Sequence, residues 1–158
     1  MEEKILDIIK KMLESRNLKY EIDDDGFIDT KRIRFNKDIP GRKYIFKVTN
    51  CYDFYEIACY SYIDTYDLND FIKITMALNQ FNARSWPAAT CQIDYEENEV
   101  DVYNDFRFAL VAEDVENFNF QKYYEKFKSF MKHSEFLYCR LKQLVNNEID
   151  YTEFYEEG

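Results

Sequence analysis

Residues 89–110 read ATCQIDYEENEVDVYNDFRFAL and hold the strongest strand pattern in the chain. Apolar and polar side chains alternate up to Glu96, and the alternation resumes at Val100. Side chains that alternate in this way line opposite faces of a strand, one toward a core and one toward solvent. The polar pair Glu97-Asn98 lies between the two runs, so the stretch predicts an antiparallel hairpin.

A helix is predicted immediately before this hairpin. Apolar residues recur every three or four positions from Phe71 to Phe81, which is the spacing of one helix face. Asp67 is a suitable N-cap near the start. The dipeptide Trp86-Pro87 ends the helix, because proline disfavours helical geometry in the residue before it.

The first half of the chain predicts one helix followed by four strands. An apolar stripe from Ile5 to Leu13 has helical spacing, and Asn17 is a plausible terminator. The acidic turn Asp23–Gly26 joins the first two strands, and Pro40-Gly41 separates the second from the third. The predicted strands cover residues 20–22, 27–35, 44–48 and 54–64.

The last third predicts a long helix over residues 120–146, in which Tyr123, Phe127 and Phe130 belong to the core. The order is therefore α-ββββ-α-ββ-α, an α+β fold with antiparallel sheet and N-terminal, middle and long C-terminal helices. Residues 1–147 are predicted to form a single domain, and residues 148–158 an acidic, aromatic C-terminal tail that either docks or hangs free.

A resemblance to a known family follows from these elements. The segment Ala77-Leu78-Asn79-Gln80-Phe81-Asn82, which closes the middle helix before the 89–110 hairpin, resembles the YbjN family. The order of elements is similar to the wider type III secretion chaperone-like fold. The resemblance implies a domain without known catalytic residues, in a family linked to chaperone-like or regulatory protein contacts, and a homodimer of this chain is a further candidate.

The charge of the chain argues against several partners. A formal net charge of −10 repels phosphate backbones, so no nucleic-acid partner is expected. No apolar run approaches the roughly 20 residues that span a bilayer, and the N-terminus lacks the features of a signal peptide. We therefore expect no membrane partner and a cytoplasmic location. The acidic surface favours a basic partner or serves solubility alone.

The cysteines and the histidine indicate no reactive centre. Cys51, Cys59, Cys91 and Cys139 lack the paired short spacing of a zinc site, so buried, reduced thiols are expected. His133 and Cys139 lie six apart on different sides of a helix, and the histidine is expected at its rim. With only 3 glycines, a phosphate-binding loop cannot form. No catalytic residue, metal or cofactor is predicted.

The aromatic residues are the remaining functional signal, with 14 Tyr and 14 Phe in the chain. If Tyr55, Ile57, Cys59 and Ile63 face the core, the intervening positions of the fourth strand lie on the opposite face. The predicted protein-binding residues on that face are Ile45, Phe54, Tyr60 and Tyr62. The competing interpretation is that the final helix or the tail covers these rings. If the face stays open, its rings have the composition of a protein-binding surface.

Three functions follow from this pattern. The first is a non-enzymatic protein-binding module, chaperone-like or regulatory, which holds a basic or amphipathic segment of a partner protein. The second is an immunity or antitoxin protein that neutralises a toxin, because such proteins are also small, acidic and aromatic. The third is an enzyme of unknown type, which a deep pocket lined by carboxylates with perturbed pKa values would support.

Overall fold

A computed structural model describes residues 1–155 of the chain and shows one six-stranded antiparallel sheet with three α-helices. The helices are α1 (Glu2–Ser15), α2 (Phe71–Arg84) and α3 (Phe120–Val145). The strands are β1 (Tyr20–Ile22), β2 (Ile28–Thr30), β3 (Ile45–Asn50), β4 (Tyr55–Asp67), β5 (Ala88–Asp94) and β6 (Glu99–Leu110). They lie in the order β1-β2-β3-β4-β6-β5, so the predicted fold class and element order are confirmed.

All three helices pack on the same face of the sheet, where they form two hydrophobic clusters. In the first cluster α1 and the N-terminal half of α3 cover Phe46, Ile57 and Phe106. In the second cluster α2 and the C-terminal half of α3 cover Ile63 and Val102. The predicted core positions Tyr123, Phe127 and Phe130 are buried in the first cluster, as their helical spacing indicated.

The long strand β4 contains an irregularity that changes which side chains face the core. The pairing with β6 shifts between Tyr62 and Asp64, so Ile63 is the extra residue of a bulge. Before the bulge the odd positions Ile57 and Cys59 are buried, as predicted; after it, the even position Tyr66 is buried. The strand also runs to Asp67, three residues beyond the predicted end.

The second strand is much shorter than the sequence pattern predicted. β2 ends at Thr30, and beyond it only the pair Ile33 and Arg42 forms a β-bridge. The backbone N–H groups of Phe35 and Asn36 donate instead to the Glu135 carboxylate on α3, at 2.7 Å and 3.2 Å. A side chain of α3 therefore holds the backbone groups that a longer strand would have used.

The C-terminal segment packs against α2 and α3. Residues Tyr151–Glu153 form a 3₁₀ turn, and the Phe154 side chain that follows is fully buried beside Phe136. Tyr155 stacks on Phe81 of α2 at 6.1 Å between ring centroids. Of the predicted tail, residues 156–158 lie outside the described part of the chain.

The start of α2 and the state of the cysteines refine two further predictions. Asp67 caps a 3₁₀ turn (Leu68–Asp70) by accepting a hydrogen bond from the Asn69 N–H at 2.8 Å, and α2 proper begins at Phe71. All four cysteines are free, but Cys59 alone is buried and the other three are half-buried. The expectation of buried thiols was therefore wrong for Cys51, Cys91 and Cys139.

Candidate protein-binding face

Three tyrosines and an isoleucine lie together on the face of the sheet opposite the helices. Ile45 of β3 pairs with Tyr60 of β4, and Tyr62 pairs with Tyr103 of β6. The rings of Tyr62 and Tyr103 meet edge to face, with centroids 5.7 Å apart. Tyr62 is 45% exposed, and the other three side chains are half-buried. We call these four residues the tyrosine face.

No helix of the described residues covers the tyrosine face. The side chains of β4 and β6 that contact α3 have the opposite orientation in their strands. The C-terminal segment also packs on the helical side, where Phe154 and Tyr155 join the second cluster. The interpretation in which the final helix or the tail shields these rings is therefore wrong for residues 1–155.

The structure brings together three of the four predicted binding residues and separates the fourth. Ile45, Tyr60 and Tyr62 are neighbours on the tyrosine face. Phe54 precedes β4 in the turn from β3, where its carbonyl accepts a hydrogen bond from the Cys51 N–H at 2.9 Å. Six residues of strand correspond to roughly 20 Å, so Phe54 lies far from Tyr60. Phe54 was assigned to the same patch only because it has an even position in the predicted strand, as Tyr60 and Tyr62 do.

Carboxylates surround the tyrosine face. Asp29 of β2 pairs with Ile45, and Asp105 of β6 pairs with Tyr60 on the other side. One oxygen of Asp29 is buried and has no hydrogen-bond partner in residues 1–155. Such an acceptor costs free energy unless a donor satisfies it. Burial raises the pKa of Tyr60, and the negative charges of Asp23 and Asp25 raise it further.

A chain of hydrogen bonds orients Tyr62. Its hydroxyl bonds to the Thr65 hydroxyl, which in turn donates to the carboxylate of Asp101. Burial is the main cause that raises the pKa of Tyr62. The bulge of β4 makes this arrangement possible, because it returns Thr65 to the side of the sheet that carries Tyr62.

Arg107 carries the main positive charge beside these acids on β6. Its guanidinium donates to Glu56 at 2.8 Å and to Asp105 at 3.2 Å. These two ion pairs occupy the arginine, whose pKa is raised chiefly by its hydrogen bond to Asp105. Lys47 of β3 is a second cation on this side of the sheet. Carboxylates are nevertheless the more numerous charges around the tyrosine face, with Asp29, Asp101, Asp105 and Glu56.

Tyr103, Asp101 and Asp105 belong to this face but were not predicted as site residues. The alternation of the 89–110 hairpin placed them correctly on the solvent side of their strand. What the sequence did not reveal was the pairing of β6 with β4, because β5 and α2 separate these strands along the chain. A search for aromatic residues on the polar side of every strand would have found Tyr103.

The other sequence features resolve into structural roles. Asp23 accepts hydrogen bonds from the N–H groups of Asp25 and Phe27, both at 2.9 Å, and Gly26 has a φ of +81°, so this acidic run forms the predicted turn. His133 is half-buried at the helix rim, and its Nδ1–H donates to the Ser129 carbonyl at 2.8 Å. Within residues 1–155, no three His, Cys, Asp or Glu side chains are grouped to hold a metal.

The helices of the described residues lack the combination of length and apolar character that crossing a bilayer demands. The three α-helices have 14, 14 and 26 residues, and the longest, α3, carries lysines throughout. Its buried side chains form a single stripe that faces the sheet. Its length therefore serves both hydrophobic clusters.

Comparison with known proteins identifies the fold. The chain has a YbjN-like α+β fold. It is similar to the crystal structure of YbjN from E. coli, described as a proposed transcription regulator, with a TM-score of 0.57 and 10% identity. The match covers 90% of this chain and 93% of that chain, which confirms the predicted resemblance as a likeness of fold. No protein-family model and no curated protein matches the sequence.

Proposed function

We propose that this chain is a non-enzymatic protein-binding module, chaperone-like or regulatory, which holds a basic or amphipathic segment of a partner on its tyrosine face. The observation that carries the proposal is the cluster of Ile45, Tyr60, Tyr62 and Tyr103 on a sheet face that no described helix covers. Tyrosines at the centre of such a patch are typical residues of high binding energy.

The negative charge of the carboxylates around the tyrosine face favours a cationic partner. Asp29, Asp101 and Asp105 lie beside the rings, and the chain has a formal net charge of −10. Complementary charge speeds association and selects the partner more than it adds affinity. The affinity should therefore fall as the salt concentration rises.

The test compares two pairs of tyrosine substitutions in capture experiments. Wild-type protein, the Tyr60→Ser/Tyr62→Ser variant and a control are used as baits in extracts of the native cell, followed by quantitative mass spectrometry. The control, Tyr52→Ser/Tyr95→Ser, removes two tyrosines that are 99% and 76% exposed in hairpin turns away from the face. The purified partner is then titrated against all three proteins.

We expect the partner to bind wild type and control equally. The Tyr60→Ser/Tyr62→Ser variant should bind about thirtyfold more weakly, which corresponds to the ~2 kcal/mol typical of a central aromatic residue. Equal binding by this variant would show that the partner uses another surface. If the partner is a toxin whose lethality the chain suppresses, the binding module acts as an immunity protein.

We also propose that two copies of the chain associate through the free edge of β5. The side-chain amide of Asn82 bonds to the N–H and carbonyl of Ala89, so these backbone groups point away from β6. Backbone groups alternate in direction along a strand, and the odd residues of β5 therefore all point this way. Those of Cys91 and Ile93 point the same way and have no backbone partner within residues 1–155.

The helix α2, whose Asn82 bonds to this edge, carries an exposed apolar stripe. Ile72 is 73% exposed and Met76 is 38% exposed, one helical turn apart. A two-fold axis normal to the sheet, lying between the Gln92 residues of the two copies, would pair Cys91 of one copy with Ile93 of the other. The same axis would bring the two apolar stripes face to face. A second copy thus satisfies the strand edge and covers the stripe at the same time.

A further inference from the structure

A cleft of about 360 Å³ lies where the end of β6 meets the first turns of α3. Its apolar lining comes from Phe108 and Leu110 of β6, from Phe118 in the connection and from Tyr123 of α3. Its polar lining includes Lys122 and Lys126. Concave, largely apolar sites of this size with a few polar groups are typical of small-molecule binding.

The rings of the cleft form a continuous apolar wall. The centroids of Phe108 and Phe118 are 5.7 Å apart, and Tyr123 lies 5.6 Å from Phe118 and 5.9 Å from Phe108. The hydroxyl of Tyr123 is buried and has no hydrogen-bond partner among the described residues. The three rings thus support one another, and the cleft has a preformed shape rather than one that a ligand must create.

Two lysines give this cleft a charge opposite to that of the tyrosine face. Lys122 and Lys126 are one helical turn apart, so their side chains lie on the same side of α3. Neither lies within ion-pair distance of a carboxylate in residues 1–155. The Lys126 ammonium lies 5.9 Å from the centroid of Phe108 and 5.8 Å from that of Trp86. Asp114 is the one carboxylate of the described lining.

We propose that this cleft binds a small amphipathic anion, with the apolar body against the rings and the anionic head between Lys122 and Lys126. Both lysines carry unpaired ammonium donors beside an apolar wall, in a chain whose other charges are mostly negative. A neutral ligand would leave those donors unused, and a cation would be repelled by them. This site is independent of the proposed protein-binding face, because the cleft lies on the helical side of the sheet.

The experiment is a titration of the full chain with octanoate, octyl phosphate, octanol and octylammonium, followed by calorimetry and by amide chemical shifts. We expect saturable binding of octanoate or octyl phosphate at one site, with the largest shifts in residues 108–126. The tighter of the two identifies the head group. Octanol and octylammonium should bind at least about tenfold more weakly, because a hydrogen bond to a charged group contributes ~1.5 kcal/mol or more.

Substitutions on α3 then distinguish anion binding in the cleft from a general effect of surface charge. The Lys122→Gln/Lys126→Gln variant should bind the anions about tenfold more weakly, and both side chains are exposed, so the fold should persist. The control Lys128→Gln/Lys132→Gln removes the same charge from the same helix outside the cleft and should bind as wild type does. Absence of saturable anion binding, equal binding of octylammonium, or equal losses in both variants would overturn the proposal.

Discussion

The hydroxyl of Tyr66 is buried without a hydrogen-bond partner in the described structure. Burial raises the pKa of Tyr66 above its usual value, and the Asp64 charge adds to this. Because the unfolded chain releases that proton first, the folded state has its full stability below about pH 10 and loses it as the pH rises further.

Replacement of Tyr66 by Phe should therefore stabilise the protein. We expect the free energy of unfolding in urea at pH 7 to rise by about 1 kcal/mol, and the stability loss above pH 10 to become smaller. The control is Tyr20→Phe, which removes a hydroxyl that donates to Glu14 at 2.6 Å and should cost about 1 kcal/mol. A Tyr66→Phe protein less stable than wild type would show that the hydroxyl is satisfied in solution.

The two asparagines of the segment 79–82 allow a matched comparison. The Asn82 amide bonds to the carbonyl and N–H of Ala89, at 2.9 Å and 2.7 Å, and so fixes α2 to the edge of β5. Asn82→Ala should lower the free energy of unfolding by about 1–3 kcal/mol. Asn79→Ala, at an exposed position one turn earlier, should change it by less than about 0.5 kcal/mol. Equal effects would mean that these hydrogen bonds add no stability.

Residue-level prediction of side-chain orientation agrees with the structure where strand alternation decides it. Tyr60 and Tyr62 lie on the predicted face because both precede the bulge of β4. Phe54 was misplaced because the strand begins one residue later, and alternation says nothing about a turn. Tyr103 was not assigned to this face because its neighbour across the sheet, Tyr62, is remote in sequence.

At the scale of elements, the sequence pattern predicted those helices and strands that depend on neighbouring residues. Each helix followed from its apolar spacing, and the hairpin of β5 and β6 followed from its alternation and turn. The length of β2 did not follow from its own sequence. Glu135, a hundred residues away on α3, accepts hydrogen bonds from the backbone N–H groups beyond the strand. The bulge in β4 also arises from pairing with a remote strand, which no local pattern reveals.

The C-terminal segment is the element whose contribution is most directly measurable. Phe154 is fully buried beside Phe136 and belongs to the second hydrophobic cluster. Phe154→Ala should lower the free energy of unfolding by about 3–5 kcal/mol, because it leaves a cavity between α2 and α3. The control Tyr52→Ala removes a ring that is 99% exposed and should have an effect within about 0.5 kcal/mol. If Phe154→Ala were equally neutral, the segment would not be docked in solution.

At the scale of the whole molecule, the two edges of the sheet differ in how they are protected from association. β1 is three residues long and carries a charged residue, Glu21, at its centre. β5 is seven residues long, contains neither proline nor lysine, and has its one charged residue, Asp94, at its end. Long edges without such protection are templates for strand pairing. The only side chain that bonds to the β5 edge in residues 1–155 is Asn82, at one end of it.

The proposed homodimer should therefore depend on β5 and the neighbouring stripe of α2. In sedimentation experiments wild-type protein should behave as a dimer of 19.3 kDa chains, and Ile72→Lys/Met76→Lys should shift it to monomer. Those lysines would face their own copies across the two-fold axis, and like charges at an interface are unfavourable. The control Ile22→Lys places a charge on the half-exposed Ile22 of β1 and should leave the dimer intact. Dissociation by Ile22→Lys instead would move the contact to the opposite edge, and a monomeric wild type at high concentration would refute the dimer altogether.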